Sequence, residues 1–81
     1  MDRQEIKQTV NDLLIDTLGI SSNEITDDAT IAEDFGADSL DGVEITMTLE
    51  DEFGITISNE EAGKCVTVKD IYDLVERKTI S

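Results

Sequence analysis

The apolar residues of this chain recur with helical spacing over its first stretch. Six side chains fall three or four positions apart on one face: Ile6, Val10, Leu13, Leu14, Thr17 and Leu18. Asp2 and Glu5 suit the capping positions that open a helix, and Gly19 suits the left-handed position just after one. The pattern therefore predicts a first helix over about residues 3–18.

The middle of the chain predicts a helix from about Ser39 to Phe53, ended by Gly54. At about 100° of rotation per residue, the expected core face carries Gly42, Ile45, Thr46, Leu49 and Phe53. The opposite side carries Leu40, Val43 and Met47 among Glu44, Glu50 and Asp51. Either the helix is buried on both sides, or this second stripe meets a protein partner. Because unpaired carboxylates are costly to bury, the pattern favours a partner surface with an acidic rim.

Two more helical elements are predicted after Gly54. Ser58 or Asn59 can cap a short turn from Glu60 to Lys64. Thr67 and Asp70 can open a last helix. Its apolar face comprises Val68, Ile71, Tyr72, Leu74 and Val75. The alternating residues 55–57 have no partner strand, so an extended link is predicted there.

Residues 20–38 show no sustained period, and four isolated apolar residues are expected to pin them to the core: Ile25, Ala29, Ile31 and Phe35. A connection this long is unusual in a compact domain unless it is functional or contains short turns. The predicted fold class is all-α. We expect a four-helix bundle of three main helices and one short helix, with a long loop between the first two, in a single domain over residues 1–81.

Charge narrows the classes of partner. The net charge is −14, and residues 8–63 contain fifteen Asp and Glu residues but no Lys or Arg. Such a field repels nucleic acid and anionic membranes and attracts basic protein surfaces. The chain has one cysteine, Cys65, expected to be a buried small hydrophobe, and no apolar run long enough to span a membrane. These features predict a cytoplasmic protein without a membrane span, and we expect it to be a monomer.

Ser39 is the candidate functional residue. Asp38 is a good N-cap, and Asp41 can return a hydrogen bond as in a capping box. The Ser39 hydroxyl then points outward at the first helical position. A phosphate on it would lie beside free N–H groups at the positive end of the helix dipole.

Composition argues against catalysis by the chain itself. The sequence contains no histidine, so Ser39 lacks the usual base of a serine nucleophile. With one cysteine and no histidine, a zinc site is excluded in practice. None of the five glycines stands at the sixth position of a loop with the EF-hand pattern of acids, so no calcium site is expected. We therefore predict a non-catalytic chain without a metal site.

The residues around Ser39 resemble the attachment motif of acyl carrier proteins. The motif is Asp38-Ser39-Leu40, preceded by residues 35–37 and followed by residues 41–44. The resemblance extends over nearly the whole chain through its length, its acidity, the long first loop, the acidic end of the second helix and the Glu60-Glu61-Ala62 turn. It points to a free-standing bacterial carrier of the fatty-acid or polyketide type.

The resemblance implies the cofactor, the partners and the site residues. In this family, a phosphopantetheinyl transferase attaches 4′-phosphopantetheine from coenzyme A to the serine, here Ser39, and the arm holds acyl groups as thioesters. Synthase enzymes with basic docking patches would then recognise the helix through Asp38, Leu40, Asp41, Val43, Glu44, Met47, Glu50 and Asp51. The acyl chain would lie in a pocket lined by Ile45, Leu49, Phe53, Ile57, Ala62, Cys65 and Tyr72.

Three departures from the family pattern leave the pathway open. Gly42 stands within the recognition helix, where many relatives carry Thr or Ala. Ser58 replaces a common proline, and Thr46 and Thr48 make the helix more polar. The alternatives are a peptidyl or aminoacyl carrier, against which Asp38 and the acidic chain speak, and an acidic adaptor that binds a basic partner without a prosthetic group.

Overall fold

The computed structural model describes residues 2–79, and these residues form an all-helical fold. The helices are α1 (Arg3–Leu18), α2 (Ser39–Phe53), α3 (Asn59–Gly63) and α4 (Val68–Thr79), with a 3₁₀ turn at Ser22–Glu24. The predicted bounds of α1 and α2 are confirmed, and α3 begins one residue earlier than predicted. Among residues 2–79, none of the helices combines the length and apolar composition of a membrane-spanning segment.

The predicted capping residues set the helix ends. The Glu5 N–H donates to Asp2 Oδ1 at 2.9 Å at the start of α1. Gly19 and Gly54, which follow α1 and α2, have φ angles of 68° and 63°. Few side chains adopt this left-handed conformation without strain, so glycine stops both helices where the apolar period ends.

The core lies where α1, α2 and α4 meet. Its buried residues come mainly from the predicted faces of these helices: Ile6, Val10, Leu13, Leu14, Ala29, Ile31, Ile45, Leu49, Ile57, Val68, Ile71, Tyr72, Leu74 and Val75. All five predicted apolar residues of α4 are among them. On α2, only Ile45 and Leu49 are buried, so this helix packs along one narrow side and leaves the other exposed.

The long loop is held to the start of α4 by backbone hydrogen bonds as well as by apolar anchors. The Ile31 N–H donates to the Val66 carbonyl at 3.0 Å, and the Val68 N–H donates to the Ala29 carbonyl at 3.0 Å. Ala29 and Ile31 are buried, whereas Ile25 and Phe35 are partly buried against the core. The loop therefore places residues 36–38, and with them the start of α2, relative to α4.

Helix α3 is attached to α4 by an ion pair. Lys78 Nζ donates to Glu61 Oε1 at 2.8 Å and to the Thr56 carbonyl at 2.9 Å. The pKa of Glu61 is held at about 2, below its ordinary value of 4.5, chiefly because the Lys78 side chain donates to the carboxylate. The ion pair therefore ties α3 to the last turn of α4.

Candidate functional site

Ser39 occupies the first position of α2, directly after a reciprocal capping box. The Asp41 N–H donates to Asp38 Oδ1 at 3.0 Å, and the Asp38 N–H donates to Asp41 Oδ2 at 3.1 Å. Gly36, with a φ angle of 68°, turns the loop into the cap. The cap therefore sets the backbone on both sides of Ser39, and the Ser39 side chain is exposed.

The surroundings of Ser39 fit a phosphate ester. The N–H groups of Ser39 and Leu40 make no hydrogen bond within residues 2–79, as expected for the first turn of a helix. They lie at the positive end of the α2 dipole, which favours an anion. The carboxylates of Asp38 and Asp41 oppose an added negative charge, but each accepts a backbone hydrogen bond of the cap.

A groove of about 380 Å³ begins at Ser39 and runs between α2 and α3. We call it the Ser39 groove. It is lined by Ser39, Gly42, Val43, Thr46, Met47, Glu50, Ile57, Asn59, Ala62 and Gly63. A flexible chain attached to Ser39 Oγ can therefore lie in this groove along α2 instead of extending fully into bulk solvent.

Below the groove lies a small apolar cavity of about 60 Å³, here called the inner cavity. It is lined by Ile31, Gly42, Ile45, Thr46, Leu49, Ile57, Ala62, Cys65, Ile71 and Leu74. The groove and the cavity share four of these residues, so the two spaces are adjacent. The arrangement offers a hydroxyl for attachment, a groove for an arm and an apolar space for what the arm carries.

The outer side of α2 presents an exposed apolar stripe. Leu40, Val43 and Met47 are 76%, 56% and 60% exposed. The carboxylates around them make no ion pair with a lysine or arginine of residues 2–79: Asp38, Asp41, Glu44, Glu50 and Asp51. The apolar stripe predicted along α2 is therefore exposed, and its role in binding a partner stays a prediction.

Comparison with known proteins identifies the family. The family profile described as "Phosphopantetheine attachment site" matches residues 8–75, a range that includes Ser39. A protein named acyl carrier protein from Rubrobacter xylanophilus is 46% identical over 80 residues, which are 98% of this chain and 99% of the relative. Another of the same name, from Thermosynechococcus vestitus, is 42% identical over 78 residues, 96% of each chain.

A solved structure agrees with these relatives. It is the acyl carrier protein from Enterococcus faecalis, described for its high thermal stability. The two structures superpose with a TM-score of 0.84 at 36% identity, over 96% of this chain and 99% of the other. The chain belongs to the acyl carrier protein family. Its cofactor is accordingly phosphopantetheine, and its class is a carrier that works with synthase enzymes.

The lining of the inner cavity overlaps only in part with the pocket expected from the family resemblance, and that pocket stays a prediction. Five of the seven expected residues line it, but Phe53 and Tyr72 do not. Tyr72 turns toward α1, where its hydroxyl donates to Asn11 Oδ1. The Arg3 guanidinium and the Lys7 ammonium lie 5.8 and 5.5 Å from the centre of the Tyr72 ring.

The reason for the difference is the direction that each side chain takes. Phe53, at the last turn of α2, is only partly buried and packs against the core elsewhere. Ile31, Ile71 and Leu74 line the inner cavity instead. The apolar period of α4 indicates that Ile71 and Leu74 are buried, but it does not show which of them face α2 rather than α1.

Cys65 is only partly buried, although the sequence around it predicts a buried residue. It is a partly buried residue that lines the inner cavity, and its Sγ lies 3.6 Å from the Glu61 carbonyl oxygen. Burial raises the pKa of the thiol, and the nearby Asp70 carboxylate adds to this effect. The protonated thiol therefore contributes an apolar surface to the cavity wall.

Two surface residues differ from what the sequence predicts. Val66, in the segment before α4, is 57% exposed and lies outside any helical period that could have revealed it. Glu50, expected on the partner surface, is only partly exposed because its Oε2 accepts the Ile57 N–H at 2.8 Å. Glu50 therefore fixes the link between α2 and α3 as well as bordering the Ser39 groove.

A second groove, between α1 and α2, is strongly acidic. Its volume is about 640 Å³, and Asp12, Asp16, Glu44 and Glu52 line it together with threonines. Within residues 2–79, no three His, Cys, Asp or Glu side chains are arranged to hold a metal ion. We call this region the acidic groove.

Proposed function

We propose that the chain carries acyl intermediates as thioesters on a 4′-phosphopantetheine arm attached to Ser39 Oγ, for fatty-acid or related polyketide biosynthesis. The observation that carries the proposal is the position of Ser39. Its exposed hydroxyl lies beside two free N–H groups at a capped helix start, at one end of a groove that is adjacent to an apolar cavity.

Attachment of the arm requires an ester oxygen, donors for the phosphodiester and a base for the serine proton. Ser39 Oγ supplies the ester oxygen, and the N–H groups of Ser39 and Leu40 favour the negative phosphodiester. The bound arm supplies a terminal thiol that holds the acyl group. Because the chain has no histidine to accept the serine proton, the transferase must supply that base, and the carrier itself is non-catalytic.

The partner surface is the exposed stripe of Leu40, Val43 and Met47 with its acidic rim. Apolar anchors surrounded by charge suit brief docking, because the charges attract the partner and the anchors supply affinity. The partners are the phosphopantetheinyl transferase and synthase enzymes that present basic patches. We infer that the carrier acts as a cytoplasmic monomer, a single acyl-carrier domain over residues 1–81.

Intact mass spectrometry tests the attachment. Incubating the purified chain with coenzyme A and a phosphopantetheinyl transferase should add the mass of one phosphopantetheinyl group. Ser39→Ala should add none. Ser22→Ala is the matched control and should load normally. Ser22 was chosen because it is also an exposed serine at the start of a helical turn. An unmodified mass for the wild type, or loading that persists in Ser39→Ala, would refute the proposal.

The second candidate is an adaptor that has no prosthetic group. The observation that favours it is the exposed apolar stripe on α2. An adaptor would bind its basic partner equally well with serine or alanine at position 39, since it needs only the α2 surface. Partner binding that survives Ser39→Ala but is lost on charge reversal at Glu44 would support this candidate.

A further inference from the structure

The start of α2 is anchored less firmly than the starts of the other two long helices. The first buried residue of α2 is Ile45, at the seventh position of the helix. In α1 it is Ile6, at the fourth position, and Arg3 also pairs with two carboxylates of α4. In α4 it is Val68, at the first position. Residues 39–44 therefore contribute no buried side chain to the core.

Gly42 weakens the same stretch from within. It lies inside α2, where glycine lowers helix stability relative to alanine. Its φ angle is not positive, and a Cβ built on it meets no atom within 4 Å apart from its chain neighbours and the backbone of its own helix. Neither a turn nor a close contact within residues 2–79 therefore requires glycine here. The Thr46 hydroxyl also donates to the Gly42 carbonyl at 2.8 Å, a bond that competes with the helical bond to the same oxygen.

Apart from helical hydrogen bonds, the capping box is the main support of residues 39–44. Asp38 and Asp41 exchange two bonds between a backbone N–H and a side-chain oxygen, at 3.0 and 3.1 Å. Ion pairs add nothing, because no carboxylate of α2 pairs with a lysine or arginine of residues 2–79. A stretch with few buried apolar contacts opens at a lower free energy than the core of a domain. Residues 39–44 should therefore open locally while the rest of the fold stays intact.

A phosphodiester on Ser39 would act on this same stretch. The N–H groups of Ser39 and Leu40 make no hydrogen bond within residues 2–79. An anion attached at a helix start stabilises the helix by accepting from such groups and by its position at the positive end of the dipole. Local opening separates these groups from the phosphodiester. It also removes Leu40 and Val43 from the exposed stripe, because both lie within residues 39–44.

We propose that residues 39–44 form an opening segment, which unfolds locally in the unloaded chain because of Gly42 and is closed by the phosphodiester on Ser39. The closure by the phosphodiester rests on the proposed function. A closed segment presents Leu40 and Val43 on one helical face, so the loaded chain offers synthase enzymes a more complete docking surface than the unloaded chain. Because Thr and Ala, which many relatives carry in place of Gly42, both favour a helix more than glycine does, the effect belongs to this chain.

Amide hydrogen exchange followed by NMR tests the segment residue by residue. The reporter amides are those of Val43 and Glu44, which donate within the helix to carbonyls four residues earlier and are freed when the segment opens. The amide of Leu14, a fully buried residue of α1, reports opening of the whole fold. The amide of Arg77, in the last turn of α4, reports a local opening that does not involve α2. Rates are compared as protection factors, which removes the intrinsic differences between sequences.

The unloaded chain tests the role of Gly42. In the wild type, the two reporter amides should be protected at least about tenfold less than the Leu14 amide. Gly42→Ala should raise their protection about fivefold, the difference between glycine and alanine in a helix, and Gly42→Ser should give an intermediate rise. Gly63→Ala is the matched control and should leave them unchanged. Gly63 is also a helical glycine whose Cβ would meet no atom within 4 Å, but it lies in α3.

The loaded chain tests the closure by the phosphodiester. The wild type is loaded with the pantetheine arm from coenzyme A, and intact mass confirms complete loading before exchange is measured. Loading should raise the protection of the two reporter amides about two- to fivefold, the scale of a charge at a helix start. The protection of the Arg77 amide should not change, because opening at the end of α4 leaves the phosphodiester in place.

The outcomes separate this inference from the proposed function. Failure of the wild type to load would overturn both. Normal loading with unchanged protection of Val43 and Glu44 would overturn the inference alone. The inference would also be wrong if Gly42→Ala and the unloaded wild type had equal protection at these amides, or if the wild type protected them as strongly as Leu14, since α2 would then open only with the whole fold.

Discussion

Lys78 donates to Glu61 across 2.8 Å and thereby joins the last turn of α4 to the middle of α3. A five-residue helix is too short to be stable without tertiary contacts. The same ammonium group binds the Thr56 carbonyl, so one side chain holds both α3 and the link before it. Because α3 carries Ala62, which lines the inner cavity, the Glu61–Lys78 ion pair also holds one wall of that cavity.

The ion pair predicts a specific pH dependence of stability. The pKa of Glu61 is about 2 in the folded chain and 4.5 ordinarily. A carboxyl with a lowered folded-state pKa stabilises the fold fully above its unfolded pKa, and this contribution is lost as the pH falls through the folded value. We therefore expect Glu61→Gln to lower the melting temperature near neutral pH, with a difference from the wild type that shrinks between about pH 4.5 and pH 2.

Glutamine isolates the charge in this experiment, because its amide oxygen can still accept the Ser58 N–H of the α3 cap. Glu60→Gln is the control, since its contact with Lys64 is longer, at 3.6 Å, and its side chain is 82% exposed. Thermal unfolding followed by circular dichroism gives the differences. A Glu61→Gln difference that stays constant from pH 7 to pH 2 would contradict the assignment.

The capping box at α2 predicts that hydrogen bonding and charge at Asp38 can be separated. Asp38→Ala removes the acceptor for the Asp41 N–H and should lower the free energy of unfolding by about 1 kcal/mol, within a range of about 0.5–2. Asp38→Asn keeps an acceptor oxygen and should cost much less. Urea unfolding of the two variants checks this, and equal losses would show that the charge, not the cap, stabilises α2.

The exposed stripe predicts substitutions that affect docking but not folding. Leu40→Gln and Met47→Gln should change the free energy of unfolding by less than about 0.5 kcal/mol, because these side chains touch little of the chain. They should lower kcat/KM for loading by the transferase. Leu49→Ala, by contrast, empties a 3% exposed core position and should cost about 2–5 kcal/mol.

Val66→Gln is the matched control for this docking prediction. Val66 is as exposed as Val43, but it lies in the segment before α4 rather than on α2. Loading of Val66→Gln should proceed at the wild-type rate. An equal defect in Val66→Gln and Leu40→Gln would indicate that exposed apolar surface in general, and not the stripe on α2, binds the transferase.

Local signals account for the parts of the fold that the sequence predicts well. Asp38 and Gly54 mark the two ends of α2 through a cap and a left-handed turn, both of which depend on a few neighbouring residues. The site serine is predictable for the same reason. The inner cavity is not, because a cavity is a gap left by packing, and a helical period records which residues are buried but not which neighbour each of them meets. Tyr72 is buried as predicted, yet it faces α1.

The pattern of hydrophobic and polar residues also does not predict which residues that are distant in the sequence contact each other. Glu61 and Lys78 are separated by 17 positions, and nothing in the surrounding charges selects this pair over others. The loop before α2 is held partly by backbone groups, such as the Ile31 N–H and the Val66 carbonyl, which every residue possesses. Side-chain identity therefore carries no signal for these bonds.

The acidic groove brings carboxylates of α1 and α2 to a common surface. Asp12 and Asp16 on α1 face the same space as Glu44 and Glu52 on α2. The basic residues are all outside residues 8–63, and the ion pairs of residues 2–79 leave these four carboxylates without a cation. Repulsion across the groove should therefore oppose the packing of α1 against α2.

Relief of this repulsion should stabilise the fold. The screening length falls from about 30 Å at 0.01 M salt to about 8 Å at 0.15 M, so added salt or magnesium should raise the melting temperature. Asp16→Asn should raise it at low salt and weaken its dependence on salt. Glu33→Gln removes the same charge from the exposed loop outside the groove and should do less. Equal effects of the two variants would assign the repulsion to the total charge of the chain, because only a local effect distinguishes Asp16 from Glu33.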